Sequence, residues 1–224
     1  MKNHFTKTLQ EFEYLVCFDL AKFETGVSVI DIKDLTHPRV KEIRQISIDK
    51  NEEEPYSEFF DKLNLYFKIL ETKIPLDKVL IIREKQPSGH GATTTIATLQ
   101  ALAGVHAILD IVIHRYNIYE YEDGIHASSV KAWAREVTGI EKPQKTDIKN
   151  YLIKKYPEIL NDSQEITLDI SDSIALAECL INRKWNADIK EEIKEKKKKL
   201  KELKLQIAKN KIVEAIEDLQ KKLI

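Results

Sequence analysis

Three short apolar runs open this 224-residue chain, and the connections between them are too short to hold a helix. Tyr14–Phe18 (YLVCF) is apolar throughout and stops at Asp19, as a central strand buried on both faces does. Gly26–Ile32 (GVSVIDI) alternates. After a turn at Asp34, His37 and Pro38, Val40–Ile48 (VKEIRQISI) alternates again. Strands joined this tightly pair with their sequence neighbours as an antiparallel meander.

The pattern then changes. Asn51–Pro55 interrupts it and Ser57 offers a helix cap. Phe59, Phe60, Leu63, Tyr66, Phe67 and Leu70 recur at helical spacing until Pro75. Val79–Ile82 is a fully apolar strand running into Arg83 and Glu84. Gln86–Ala92 (QPSGHGA) has loop composition, and Thr93 or Thr94 can cap a long apolar helix reaching about Tyr116. Ile118–Tyr121 is a fifth strand, and helical patterns occupy Ser128–Val137, Lys145–Tyr156 and Ile170–Arg183. Strand–helix–strand steps after a meander imply a mixed five-stranded α/β sheet with helices on both faces. Ribonuclease H-like folds have this order, and so can other mixed α/β sheets.

With 42% hydrophobic and 33% charged residues, and only 6 Gly and 6 Pro, the composition is that of a soluble globular protein. A domain of roughly 180 residues buries about 70% of its unfolded surface and needs no covalent staple. Cys17 and Cys179 lie in apolar runs without CxxC spacing, so they are expected to be reduced core residues of an intracellular, cytoplasmic protein. The first twenty residues hold no apolar signal-peptide core. Ile96–Ile113 is the most hydrophobic stretch, but it carries Gln100, His106 and Asp110. A mid-span Asp costs about 2.5–3.5 kcal/mol on membrane insertion, so a buried helix of a soluble protein is expected, and no membrane span.

The net charge of −1 does not announce a nucleic-acid partner. From Asp188 to Ile224, however, 12 Lys stand against 8 acids, a net of +4 that leaves −5 on the rest. The chain therefore divides into a body over 1–185 and a Lys/Glu-rich helical extension over 186–224. In the extension Ile189, Ile193, Leu200, Leu203 and Ile207 form a seam broken by Lys196; Ile212, Ile216, Leu219 and Leu223 form another. Spacings of three and four mark an amphipathic helix or coiled coil. The Lys196–Lys199 run is by default a solvated helix face.

Four acids fall at element edges. Asp19 ends the first strand, Glu84 ends the fourth, and Asp169 and Asp172 form a DxxD at the start of the last helix of the body. Residues three apart on a helix share a face. If strands one and four are neighbours, Asp19 and Glu84 come together and the helix need only lay its first turn across them. Carboxylates clustered without His or Cys favour hard cations such as Mg²⁺ or Mn²⁺. Two such ions about 3.5–4 Å apart stabilise the attacking and leaving oxygens of a phosphodiester displacement. Each acid also has an ordinary reading, Asp19 as a turn residue and Asp169 and Asp172 as helix caps.

In order along residues 14–183, these features resemble the RuvC-type Holliday junction resolvases. Asp19 is followed seven residues later by Gly26 in DLAKFETGVSV, and Glu84 ends a later strand in VLIIREKQP. An apolar helix (LQALAGVHAILDIVI) comes next, then the strand YEY, Val130-Lys131, Gly139 six residues before Lys145, and Asp169-Ile-Ser-Asp172-Ser-Ile-Ala. The resemblance implies a homodimer joined through the 93–116 helix and a Mg²⁺-dependent enzyme, with Mn²⁺ as substitute and two ions. Such an enzyme nicks a four-way DNA junction symmetrically. Asp19, Glu84, Asp169 and Asp172 would be its metal ligands. Lys145 would act at the scissile phosphate, and Lys131 would contact DNA beside it. His90, flanked by Gly89 and Gly91, would have the reach to touch DNA, although an ordinary loop histidine fits as well.

Three departures stand out. Leu20-Ala21 replaces the family's Pro-Gly, Pro87 stands where an aromatic wedge is usual, and the helix bearing Lys131 is about three residues longer. These changes resemble divergent, phage-type members. A related nuclease acting on flaps, branched DNA or RNA–DNA hybrids would carry the same acids. A non-catalytic scaffold binding nucleic acid through the terminal helix is the reading from a different class.

Overall fold

The computed structural model describes residues 9–86, 95–121, 124–161, 165–183, 194–199 and 201–202. Its centre is β1 (Tyr14–Asp19), whose side chains from Tyr14 to Phe18 are buried on both faces. β2 (Glu24–Asp31) and β3 (Arg39–Ser47) follow it antiparallel, as short connections require. β4 (Val79–Arg83) and the two-residue β5 (Tyr119–Glu120) add parallel on the other side. The order is β3-β2-β1-β4-β5, a mixed five-stranded sheet.

Strand alternation divides the core into two layers. Val16, Phe18, Val79 and Ile81 point to α1 (Pro55–Glu71) and α2 (Ile96–Tyr116). Leu15, Cys17, Leu80 and Ile82 point to the opposite face, covered by α3 (Ala127–Thr138), α4 (Lys145–Lys155) and the helix over residues 168–183, here α5. Both cysteines are free and buried.

α1 starts at Pro55, not at a Ser57 cap. Proline with its fixed φ suits a first helical position, where no N–H partner exists anyway. Glu54 precedes it without a capping hydrogen bond from its side chain. α2 is capped by Thr95, whose hydroxyl accepts from the Thr98 N–H at 3.1 Å. The expected cap residues Thr93 and Thr94 lie outside the described residues. Asn117 ends α2 in the left-handed conformation, φ 51°.

The expectation that α2 is buried needs correction. Among the described residues it is a helix long and apolar enough to cross a membrane, yet only 22% of its most hydrophobic window is buried. Val105, Leu109 and Val112 pack into the layer with α1, while Ile96 (64% exposed) and Ile111 (56%) face outward. One flank is core and the other is uncovered.

By internal contacts the chain divides into residues 1–181 and 182–224. In the second unit, residues 194–199 are helical and exposed. The residues of the two apolar seams expected there all lie outside the described residues.

Candidate active site

Asp19 and Glu84 reach the same edge because β1 and β4 are parallel neighbours. Phe18 pairs with Arg83, so the next residues, Asp19 and Glu84, stand side by side where the strands end. By alternation both belong to the face of Leu15, Cys17, Leu80 and Ile82, the face that α5 covers. Glu84 is held by an isolated parallel bridge to Ile125.

Across the sheet the row continues through Gly26 of β2, paired with Asp19, to Gln45 of β3, paired with Gly26. α5 begins on this row. Thr167 caps it, its hydroxyl accepting from the Ile170 N–H at 3.2 Å and donating to Gln45 Oε1 at 2.6 Å. Gln45 Nε2 in turn donates to Asp169 Oδ2 at 3.2 Å. Gln45 and Thr167 thus fix the first turn of α5 and one oxygen of Asp169. Neither was singled out from sequence, where a glutamine in a half-exposed strand carries no signal.

α4 brings a cation. Its capping box, Gln144 with Asp147, places Lys145 at the first helical position. The Lys145 ammonium donates to Asp172 Oδ2. Lys131, exposed on α3, acts on the same cluster from further off, its charge favouring ionised Glu84.

The electrostatics show how closely the acids crowd. Burial first, then the charge of Asp172, raise the Asp19 carboxyl from an ordinary 3.8 to about 7; Glu84 and Asp169 push the same way, while Lys145 opposes them. Glu84 is raised by burial and by Asp172, and Asp172 by burial, with Asp169 adding to it. Burial tends to lower the Lys145 ammonium, but its bond to Asp172 and the charges of Asp172, Asp19 and Asp169 leave it raised. The four expected acids and the expected lysine thus lie within electrostatic reach of one another. His90 and Pro87 lie outside the described residues.

In kind, this donor set fits a hard divalent cation: carboxylates alone, crowded enough to favour a positive neighbour. As they stand, no three His, Cys, Asp or Glu side chains among the described residues close into a group that could hold an ion. Lys145 takes one oxygen of Asp172 and Gln45 one of Asp169. Closure around an ion needs side-chain rotation.

Solved structures of similar shape were found. The Thermus thermophilus RuvC in complex with a Holliday junction substrate matches at TM-score 0.57 and 12% identity, covering 78% of this chain and 96% of that one. The yeast mitochondrial Holliday junction resolvase Ydc2 matches at TM-score 0.55 and 15% identity, covering 83% of each chain. No protein-family model matches the sequence, and no curated protein does. At these identities the likeness establishes the fold alone, a ribonuclease H-like mixed five-stranded α/β sheet.

Proposed function

We propose that the chain is a divalent-metal-dependent endonuclease that cuts four-way DNA junctions by paired nicks. The convergence of Asp19, Glu84, Asp169 and Asp172 beside Lys145, at the end of β1 and β4, carries this reading. The resemblance of the ordered motifs to RuvC-type resolvases supports it, as does the fold shared with two Holliday junction resolvases.

The four carboxylates would hold Mg²⁺, or Mn²⁺ in its place, as one or two ions. Bound there, the cation supplies charge neutralisation for a polyanionic backbone and lowers the pKa of water. Asp19 and Glu84, fixed by strand ends, set the floor of the site; Asp169 and Asp172, on one helical turn, set its wall. Lys145 leaves Asp172 to meet phosphate, offsetting charge that builds on the phosphoryl oxygens. Lys131 steers the neighbouring backbone.

The protein acts as a homodimer joined by the uncovered flank of α2, so that two sites face two strands of one junction. Residues 1–185 would be the nuclease body, with 186–224 as a Lys/Glu-rich extension. Two buried, reduced cysteines suit an intracellular, cytoplasmic setting.

The test is cleavage of a synthetic four-way junction with Mg²⁺ by the wild type and by Asp172→Asn. Paired nicks are expected from the first, and an intact, still-bound junction from the second. A variant as fast as wild type refutes the site. Equal rates on matched flap and RNA–DNA hybrid substrates would shift the reading to a related nuclease, and no Mg²⁺-dependent cleavage of any substrate would leave a binding scaffold.

A further inference from the structure

Arg83 and Glu84 are adjacent at the end of β4, and alternation sends their side chains to opposite faces of the sheet. Glu84 faces α5. Arg83 faces α2, where its guanidinium is engaged on every nitrogen. Nε meets Glu120 Oε1 of β5 at 2.5 Å, and Nη2 meets Asp110 Oδ1 of α2 at 2.5 Å. Nη1 donates to the His106 carbonyl at 3.2 Å and lies 3.2 Å from His106 Nδ1. Burial, then the charge of Arg83, lowers the His106 pKa to about 4, which favours the neutral ring near pH 7, and the tautomer protonated on Nε2 lets Nδ1 accept from the guanidinium. A planar fork can satisfy these partners together, whereas a lysine ammonium is a single point.

Resting on the nuclease reading above, we infer that Arg83 is a positioning residue that anchors the Glu84 carboxylate by clamping the end of β4 to α2 and β5. The place needs such an anchor because the sheet is running out. β5 is two residues long, and beyond it one bridge holds Glu84: the Lys85 N–H donates to the Ile125 carbonyl at 2.8 Å, and the Ile125 N–H to the Arg83 carbonyl at 3.0 Å. Beside that bridge opens a cavity of about 140 Å³, with Arg83, Glu84, His106, Asp110, Glu120 and Gly124 in its lining. Packing on this side of Glu84 is incomplete, so the fork of Arg83 replaces it. The clamp also joins an active-site carboxylate to the helix proposed as the dimer surface.

A charge-only role makes a different forecast. Arg83→Lys would then behave as wild type, because the positive charge stays. Under the positioning role Arg83→Lys and Arg83→Gln both fail to fork. Each is expected to lower kcat on a four-way junction at least tenfold, with KM within about twofold. In the metal-free protein, amide exchange at Lys85 and Ile125 is expected to speed up about tenfold or more in both variants, while Val29 in the β1–β2 pair stays unchanged. Wild-type kcat and exchange in Arg83→Lys, or unchanged exchange in Arg83→Gln, overturns the inference. Should Arg83→Gln not fold, Asp110→Asn removes one arm at a residue whose side chain is 56% exposed. A shift about threefold in the same direction supports the clamp, and wild-type behaviour there overturns it. If the wild type leaves every junction intact, the nuclease reading falls and the exchange measurement alone decides whether Arg83 anchors this strand end.

Discussion

A methyl group on Gly26 would lie 2.1 Å from the carbonyl oxygen of Asp169 and 2.2 Å from its carbonyl carbon. Both are backbone atoms, so no side-chain swing relieves the overlap. Gly26 also pairs with Asp19 across β1 and β2, so the glycine is what lets the first turn of α5 lie against the sheet beside that carboxylate. Gly26→Ala must lift α5 by more than an ångström. Overpacking of this kind costs about 1–3 kcal/mol, and an ångström of misplacement at a catalytic constellation can cost about a hundredfold in rate. Urea denaturation and junction turnover read the two effects separately. A Gly26→Ala protein with wild-type stability and rate would show that α5 does not rest on β2 at this point.

The raised Asp19 carboxyl makes the site a stability liability whose sign follows from linkage. The folded pKa of about 7 lies above the ordinary 3.8, so the folded state holds the proton more tightly. Without metal, the penalty is absent below about pH 4, grows as pH rises through the interval, and is complete above about pH 7. About three pH units correspond to an upper bound of about 4 kcal/mol. Asp19→Asn is therefore expected to melt higher than wild type at pH 8 in chelator, with the gap closing toward pH 4. Identical melting at pH 8 would mean that the Asp19 charge is not strained. Adding Mg²⁺ at pH 8 should raise the wild-type melting temperature and leave the Asn variant nearly unmoved.

Lys145 offsets that penalty, since its charge opposes the rise at Asp19 and it bonds Asp172 directly. Lys145→Gln should destabilise the metal-free protein more at pH 8 than at pH 5, because only the ionised acids need the lysine. Removing one preorganised donor that contacts charge developing in a transition state costs about 10²–10³ in kcat. A drop of that size with junction binding largely retained is the expected outcome. Tight linkage between lost binding and lost rate would instead place Lys145 as a simple DNA contact.

The strands were legible because burial on both faces writes YLVCF and VLII as unbroken apolar runs, ended by Asp19 in the first case and by Arg83-Glu84 in the second. Asp19, Glu84, Asp169 and Asp172 followed from those edges together with the ordered resemblance. What supports the acids was not legible. Gln45 meets Asp169 only because β3 pairs with β2 in one register, information that spacing along the chain does not contain. Arg83 looked like a strand-end charge, and His106 and Asp110 looked like polar interruptions of an apolar helix. The three are one clamp, visible only once α2 lies against β4. Ser57 was the wrong cap for α1 because Pro55 is itself a good first residue. Hydropathy gave the apolarity of α2 but not which of its flanks was covered.

That uncovered flank leads to the last prediction. Ile96, Ala103, Ala107 and Ile111 recur at spacings of seven, four and four, so they line one side of α2, and all four are exposed. The neighbours Val105, Leu109 and Val112 are core, while Ile96, Ala103, Ala107 and Ile111 face outward beside Gln100, Asp110 and His114. Exposed apolar residues grouped on one helix side mark interaction sites, and the small residues Ala103 and Ala107 between the two isoleucines let another backbone come close. A second copy of the same helix has the right shape, because a two-fold interface sets each patch against itself. Ile111→Glu places a carboxylate in that seam without touching Asp19 or Glu84. Sedimentation at micromolar concentration should give a dimer for wild type and a monomer for the variant. On a four-way junction the variant should release singly nicked molecules where wild type releases paired cuts. A wild type that sediments as a monomer at tens of micromolar, or an Ile111→Glu protein that still cuts both strands together, would show that this flank serves some other partner.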